Sequence, residues 1–228
     1  KTILVTGGAG FIGSNFVRYL YEKYPDYRIL VLDVLTYAGS VENLPVAFHQ
    51  ARQDRLQFWY GDVRNASLVD TLVSASDVVV HFAAETHVTR SIYDNHHFFE
   101  TDVLGTQVIA NSVLKHVKRT ERFIHVSTSE VYGTAEASLM DEQHPLNPMS
   151  PYAAAKAGLQ SLTRTVADCA LMLSVIAGWD AKSPIAIAEP GSRLMVLSFE
   201  KWSPTRPSRR CVRRPCYRAC ASPRVGGR

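Results

Sequence analysis

The chain predicts an α/β fold of the Rossmann type, a doubly wound parallel sheet flanked by helices. Three observations carry this prediction. Short apolar runs rich in β-branched residues alternate with amphipathic stretches of helical period. The first run breaks at once into the glycine pattern Gly7, Gly10, Gly13, and a second run ends in Asp33, twenty residues beyond the last of these glycines.

Thr2 to Thr6 (TILVT) reads as the first strand and Ser14 to Lys23 as the first helix. Between them Gly7 suits a tight turn, Gly10 leaves the backbone open to a pyrophosphate, and Gly13 lets the helix pack closely. Phe11 and Ile12 stand where a helix N-terminus offers free amides and a positive dipole end to phosphate. Arg28 to Leu32 is the second strand. Asp33 after it can accept hydrogen bonds from both adenosine ribose hydroxyls and would repel a 2′-phosphate, so the expected cofactor is NAD rather than NADP. Leu56 to Tyr60 is the third strand and leads to Asp62 and Val63, with Asp62 placed to meet the adenine amino group. Ser67 to Ser74 is a helix and Val78 to Phe82 a fourth strand. The small Ala83 and Ala84 then let the backbone pass under a cofactor. A helix from about Phe98 to His116 precedes a fifth strand, Arg122 to Ser127, whose end carries Thr128, Ser129 and Glu130. Proline at the first turn and apolar residues at three- and four-residue spacing predict a long helix from Pro151 to near Gly178. Tyr152 and Lys156 share one face of its first turns, and an ammonium beside a phenol favours the phenolate.

Composition narrows the partners. The net charge is +4, yet residues 201–228 hold nine Lys or Arg and no acid, so the first 200 residues carry −5. An acidic body argues against nucleic acid as a partner. Three of the four cysteines, Cys211, Cys216 and Cys220, lie in the same basic tail, and Cys169 alone lies elsewhere. Such a body suits a reducing, cytoplasmic setting. No apolar run reaches membrane-spanning length, and no metal-ligand spacing is present. His96 and His97 are expected to be solvated, His81 and His125 to be packed core histidines, and His87 to lie at an active-site rim.

Residues 1 to 162 resemble the extended short-chain dehydrogenase/reductases, and within them the nucleotide-sugar 4,6-dehydratases that act on dTDP-glucose. The stretches that carry the resemblance are TGGAGFIG, LDVLTYAGSVENL, GDVRN, HFAAETHVTRSI, ETDVLGT, VSTSEVYG and SPYAAAK, in that order. The resemblance implies an NAD-dependent lyase. Tyr152 would remove the proton of the sugar 4-hydroxyl while hydride leaves C4. Lys156 would hold the nicotinamide ribose and lower the Tyr152 pKa, and Thr128 would bond the sugar. Glu130 would take the C5 proton, water would leave from C6, and hydride would return there. Glu85 and His87 join Thr128 as the implied substrate contacts. A nucleotide-sugar is the implied partner, and the long helices leave room for a homodimer.

Two departures stand out. The dTDP-glucose enzymes carry Thr-Asp-Glu where this chain has Thr128-Ser129-Glu130, and serine is a feeble acid for the departing hydroxyl. Asp141 or Glu142 in the following loop, or a different substrate, are the alternatives. UDP-glucuronate decarboxylases share Thr-Ser-Glu, so decarboxylase and 4-epimerase chemistries stay open, as does a non-catalytic NAD-binding fragment. The second departure is Asp102, where asparagine is usual.

After Leu162 the resemblance is lost, and with it most of the family's substrate domain. Residues 163–193 resemble instead a fragment of the amidase-signature family, without its nucleophile segment. The expected organisation is a Rossmann domain over 1–178, an uncertain stretch over 179–200 with an edge strand at Ile185 to Ala188, and a disordered tail over 201–228. The Cys spacing of that tail fits no zinc site, and a shifted reading frame is the expected origin of the tail.

Overall fold

A computed structural model describes residues 1–45, 48, 55–135, 144–164 and 196–200. Five strands, β1 (Thr2–Thr6), β2 (Arg28–Asp33), β3 (Leu56–Tyr60), β4 (Val78–His81) and β5 (Arg122–Val126), pair in parallel in the order β3-β2-β1-β4-β5. A sixth, β6 (Val196–Glu200), adds to β5 antiparallel, with Val126 opposite Val196. The register sets Thr6 beside Leu32 on one side and beside His81 on the other, and His81 beside His125. Strand order reverses at β1, so a crevice opens between the carboxyl ends of β1 and β4, where such sheets bind ligands.

The central strands are mostly apolar because both of their faces are covered, whereas the edge strand β3 leaves Trp59 and Tyr60 exposed. Ile3, Val5, Ile29, Val31 and Val80 face one way and pack with Val17 and Leu20 of helix α1 (Phe11–Lys23). Leu4, Leu30, Leu32 and Val79 face the other way. There they meet Val69, Leu72 and Val73 of α2 (Ala66–Ser74), and Ile109 and Ala110 of α5 (Thr106–Lys115). Each buried aliphatic side chain of this kind contributes about 1.5–3 kcal/mol. Helix starts follow their caps. Asn65 accepts the Leu68 amide at 3.2 Å to open α2. Ser150 accepts the Ala153 amide at 3.1 Å ahead of Pro151 to open α6 (Pro151–Arg164).

The single helix expected from Phe98 to His116 is three consecutive segments. A short turn α4 (His96–Phe98) runs into a π-helical stretch, Phe99–Gly105, and only then into α5. A further short helix, α3 (Val88–Tyr93), follows β4. The expected course of the last helix to Gly178, the strand at Ile185 to Ala188, the boundary at 178 and the tail all lie outside the described residues. The edge strand that the structure does describe is Val196–Glu200.

Candidate active site

The glycine turn is built as its spacing predicts. Gly7 has φ +69°, and a Cβ there would lie 2.5 Å from the Ala83 amide nitrogen, so the turn needs glycine on two counts. Its own amide donates to the Leu32 carbonyl at 2.8 Å, which pins β1 to β2. A Cβ on Gly13 would fall 2.1 Å from the Gly7 carbonyl oxygen. Gly10 is roomier: a Cβ there would meet only that same oxygen, at 3.3 Å. Helix α1 then begins with no side-chain cap and no acid in its first turn, and Phe11 and Ile12 are exposed. An uncapped helix start on an open glycine is a place for an anion.

Asp33 is held from two sides. One carboxylate oxygen accepts the Ala9 amide and the other the Leu35 amide, both at 2.9 Å. It thereby ties the glycine loop to the end of β2, and each oxygen keeps a lone pair for a further donor. Asp62 is engaged differently. Its carboxylate accepts the Arg64 amide at 2.8 Å and the Arg64 guanidinium at 2.7 and 2.9 Å, with Glu100 bridging on the far side of that guanidinium. Burial alone would raise the Asp62 carboxyl, but the Arg64 bonds hold it below its ordinary value. Val63 is buried and packs under Gly105, where a Cβ would lie 2.6 Å from its methyl.

On the β4 side Ala83 and Ala84 are partly exposed, with the Ala83 amide 3.4 Å from the Thr6 hydroxyl. The Glu85 amide donates to Asp102 at 2.7 Å, and the Glu85 carboxylate lies 3.8 Å from Arg90. His87 takes φ +76° at the start of α3, a left-handed conformation that costs a side-chain-bearing residue about 1–3 kcal/mol. Around it Tyr37 bonds the Thr86 hydroxyl at 2.9 Å, and Arg90 stacks 3.8 Å over the Tyr37 ring. The His87 ring lies 6.3 Å from that of Tyr37.

Tyr152 stands at the meeting of these edges, its ring set edge-on to Phe98. Burial pushes its pKa up. A hydrogen bond from the Thr128 hydroxyl lowers it, while the charges of Asp102 and Glu130 raise it further. The sequence expectation that Lys156 depresses this phenol is therefore not met in this structure. The physical reason is that Lys156, 4% exposed, faces Asp102, which is fully buried and 3.8 Å away. Thr128 also accepts the Glu130 amide at 3.3 Å, and Ser129 and Glu130 are exposed on the 3-10 turn Ser129–Tyr132. Tyr152, Thr128 and Glu130 are thus brought together.

His81 and His125 are core histidines, as expected. Their rings stack 5.4 Å apart, and His81 bonds Thr6 at 2.6 Å and Thr106 at 2.7 Å. Burial, and then the charge of Lys156, push His81 down to about 3 and His125 well below its usual range, so both are neutral. His96 and His97 are exposed, 3.4–3.7 Å from Glu100 and Asp94. Among the described residues no cluster of three or more His, Cys, Asp or Glu can hold a metal, and no helix is long and apolar enough to cross a membrane. Tyr37 and Arg90 lie within the stretches LDVLTYAGSVENL and HFAAETHVTRSI that carry the resemblance, but nothing in the sequence marks them as site residues. Both sit in loops or short helices without periodicity, and only the fold brings them together.

Comparison with known proteins agrees with this arrangement. The model of the family described as GDP-mannose 4,6 dehydratase matches residues 4–184. The low-salt glycan biosynthesis protein Agl12 of Haloferax volcanii is 47% identical over 163 residues, 72% of this chain and 51% of that protein. A dTDP-glucose 4,6-dehydratase of Mycobacterium tuberculosis is 45% identical over 165 residues, 71% of this chain and 47% of that protein. Among solved structures, the dTDP-glucose 4,6-dehydratase DesIV of Streptomyces venezuelae, with NAD bound, superposes with TM-score 0.65 at 46% identity. That superposition covers 72% of this chain and 51% of the other. The UDP-glucose 4-epimerase of Thermotoga maritima superposes with TM-score 0.63 at 29% identity, covering 72% and 50%. The chain spans about half the length of the curated relatives it matches. With a family model matched over most of its residues, on a sheet and a turn of the expected order, the chain belongs to the GDP-mannose 4,6 dehydratase family.

Proposed function

We propose that this chain is the cofactor-binding and catalytic part of an NAD-dependent nucleotide-sugar 4,6-dehydratase acting on a dTDP-glucose type of substrate. The observation that carries the reading is the convergence of two constellations on one edge of the sheet. The glycine turn braced by Asp33 lies at β1 and β2, and Tyr152 with Thr128 and Glu130 lies beyond β5. The open backbone at Gly10, the uncapped start of α1 and the free lone pairs of Asp33 fit a dinucleotide without a 2′-phosphate. Bound NAD would supply the hydride acceptor for oxidation at C4 and the hydride donor for reduction at C6.

The chain's own residues do the proton work. Tyr152 takes the proton of the 4-hydroxyl, helped by the Thr128 hydroxyl, which donates to the phenolate and lowers its pKa. Oxidation at C4 acidifies the C5 proton, and the exposed Glu130 carboxylate takes it. Lys156 supplies fixed positive charge beneath the site, and Glu85, His87, Tyr37 and Arg90 form the rim that would face the sugar. Ser129 offers no acid to the departing C6 hydroxyl, and Asp141 and Glu142 lie outside the described residues. That position favours, as a second reading, a decarboxylase or 4-epimerase, whose chemistry needs no proton there. The proposal extends to a cytoplasmic location and to a homodimer through the long helices, a reading supported by the exposed Phe99 and Leu104.

The test is to incubate the chain with dTDP-glucose and NAD and to follow loss of water from the sugar by mass spectrometry. The 4-keto-6-deoxy product is expected, and Tyr152→Phe should abolish it while leaving NAD binding intact. Turnover unchanged in Tyr152→Phe would sink the assignment of the base. NAD binding without any turnover would favour the non-catalytic fragment.

A further inference from the structure

The π-helical stretch Phe99–Gly105 carries one side chain that neither the cofactor cradle nor the proton chemistry uses. Asp102 is fully buried, yet only one of its carboxylate oxygens is bonded, to the Glu85 amide at 2.7 Å. The other has no hydrogen-bond partner among the described residues and faces the Lys156 ammonium at 3.8 Å. A buried carboxylate with an unbonded oxygen is costly unless it does something for its neighbours. A π-helical turn changes the angular spacing of a helix over a few residues, and such turns gather at functional sites. Here Asp102 and Gly105 are the buried residues of that turn.

We infer that Asp102 is a positioning residue of the site, whose buried carboxylate holds the Lys156 ammonium and ties the exit of β4, through the Glu85 backbone, to helix α6. The inference rests on the reading of Tyr152 and Lys156 as the reactive pair. It adds that the Tyr152 phenol feels the charge of a third, buried residue. Among the described residues, the groups that face this carboxylate are few. Glu85 comes from the exit of β4, and Lys156 and Tyr152 from α6. His81 and His125, from β4 and β5, lie near enough to feel Lys156 and stay neutral. Glu130 and Tyr37 also act on the phenol. Burial raises the Asp102 carboxyl to about 6, against the pull of Lys156. Asp102 therefore changes charge near pH 6. When Asp102 is ionised, its charge opposes the Tyr152 phenolate. When it is protonated, that opposition vanishes and the whole ammonium is left to the site.

The test replaces the charge and keeps the shape. In Asp102→Asn the side-chain carbonyl still accepts the Glu85 amide, and the negative charge is gone. The full chain labelled with 13C at the tyrosine ring is titrated without cofactor, with the Tyr152 resonance assigned from Tyr152→Phe. The expected result is a Tyr152 titration about one pH unit lower in Asp102→Asn. An inflection near pH 6 should also be present in the wild-type resonance and absent in the variant. Should Asp102→Asn not fold, Lys156→Gln labelled with 13C at the aspartate carboxyls serves instead, with the Asp102 resonance titrating at higher pH than in wild type because its cationic neighbour is lost. Tyr152 titrating identically in wild type and Asp102→Asn, or Asp102 unmoved in Lys156→Gln, overturns the inference. No cofactor or sugar enters this measurement. A chain that binds no NAD but shows the shift would refute the proposed function and leave the role of Asp102 standing.

Discussion

Replacing Asp102 with asparagine should make the folded chain more stable at neutral pH. In the unfolded chain its carboxyl titrates near 3.8, and in the folded chain burial raises it to about 6. A raised carboxyl means that the folded chain keeps a proton the unfolded chain has already released. Stability is then highest below the unfolded value, falls as pH rises between 3.8 and about 6, and is level above that. A rise of this size at ~1.36 kcal/mol per unit amounts to about 3 kcal/mol, most of it between pH 4 and 6.5. The uncharged carboxamide of Asp102→Asn stands in for the protonated acid, with Lys156 keeping a neutral polar neighbour. The variant should therefore escape this loss. Removing one partner of a buried ion pair ordinarily costs about 3–5 kcal/mol. Here the raised carboxyl says that burial outweighs the attraction of Lys156. Urea unfolding of both proteins at pH 4, 5, 6 and 7.5 measures the difference directly and cancels the other titrating groups. The variant should gain on wild type from pH 4 to about 6 and hold that gain at pH 7.5. A difference that stays flat, or that favours wild type at pH 7.5, refutes the reasoning.

Two further substitutions probe the cofactor cradle. Gly13→Ala puts a methyl 2.1 Å from the Gly7 carbonyl oxygen, which is backbone and cannot turn aside. It should cost about 1–3 kcal/mol in urea unfolding and should lower NAD affinity in calorimetry. Asp33→Asn sets an amide NH2 against either the Ala9 or the Leu35 amide, since only one of its two termini can accept. It should lose about 1–3 kcal/mol of stability and should narrow the preference for NAD over NADP in paired titrations.

Most of the fold is legible in the sequence because its signals are local. The buried parallel strands leave apolar runs such as TILVT and RILVL, and Gly7 and Gly13 mark places where a Cβ has no room. Strand limits fall within a residue or two of expectation for the same reason. Tyr152 and Lys156 are legible as a pair by their spacing, but not in their relation to each other. Lys156 turns to Asp102, a partner 54 positions away in sequence that only the packing of α6 against the π-helical stretch supplies. The π-helical stretch itself is hidden, because seven residues are too few to tell its period from that of an α-helix. Asp33 reads as a ribose ligand, and its second task of bracing the Ala9 and Leu35 amides depends on a loop with no sequence period. The contact between Tyr37 and Arg90 is hidden on the same ground, although each lies in a stretch that carries the resemblance. Their stacking over the rim follows from the turn after β2 meeting the helix after β4.

The measurement that bears most directly on the whole account is a calorimetric titration of the chain with NAD and, separately, with NADP. The cradle of Gly7, Gly10, Gly13 and Asp33 predicts saturable binding of one NAD per chain, with NADP weaker because the Asp33 carboxylate repels its 2′-phosphate. Absence of NAD binding, or equal affinity for the two, would contradict it.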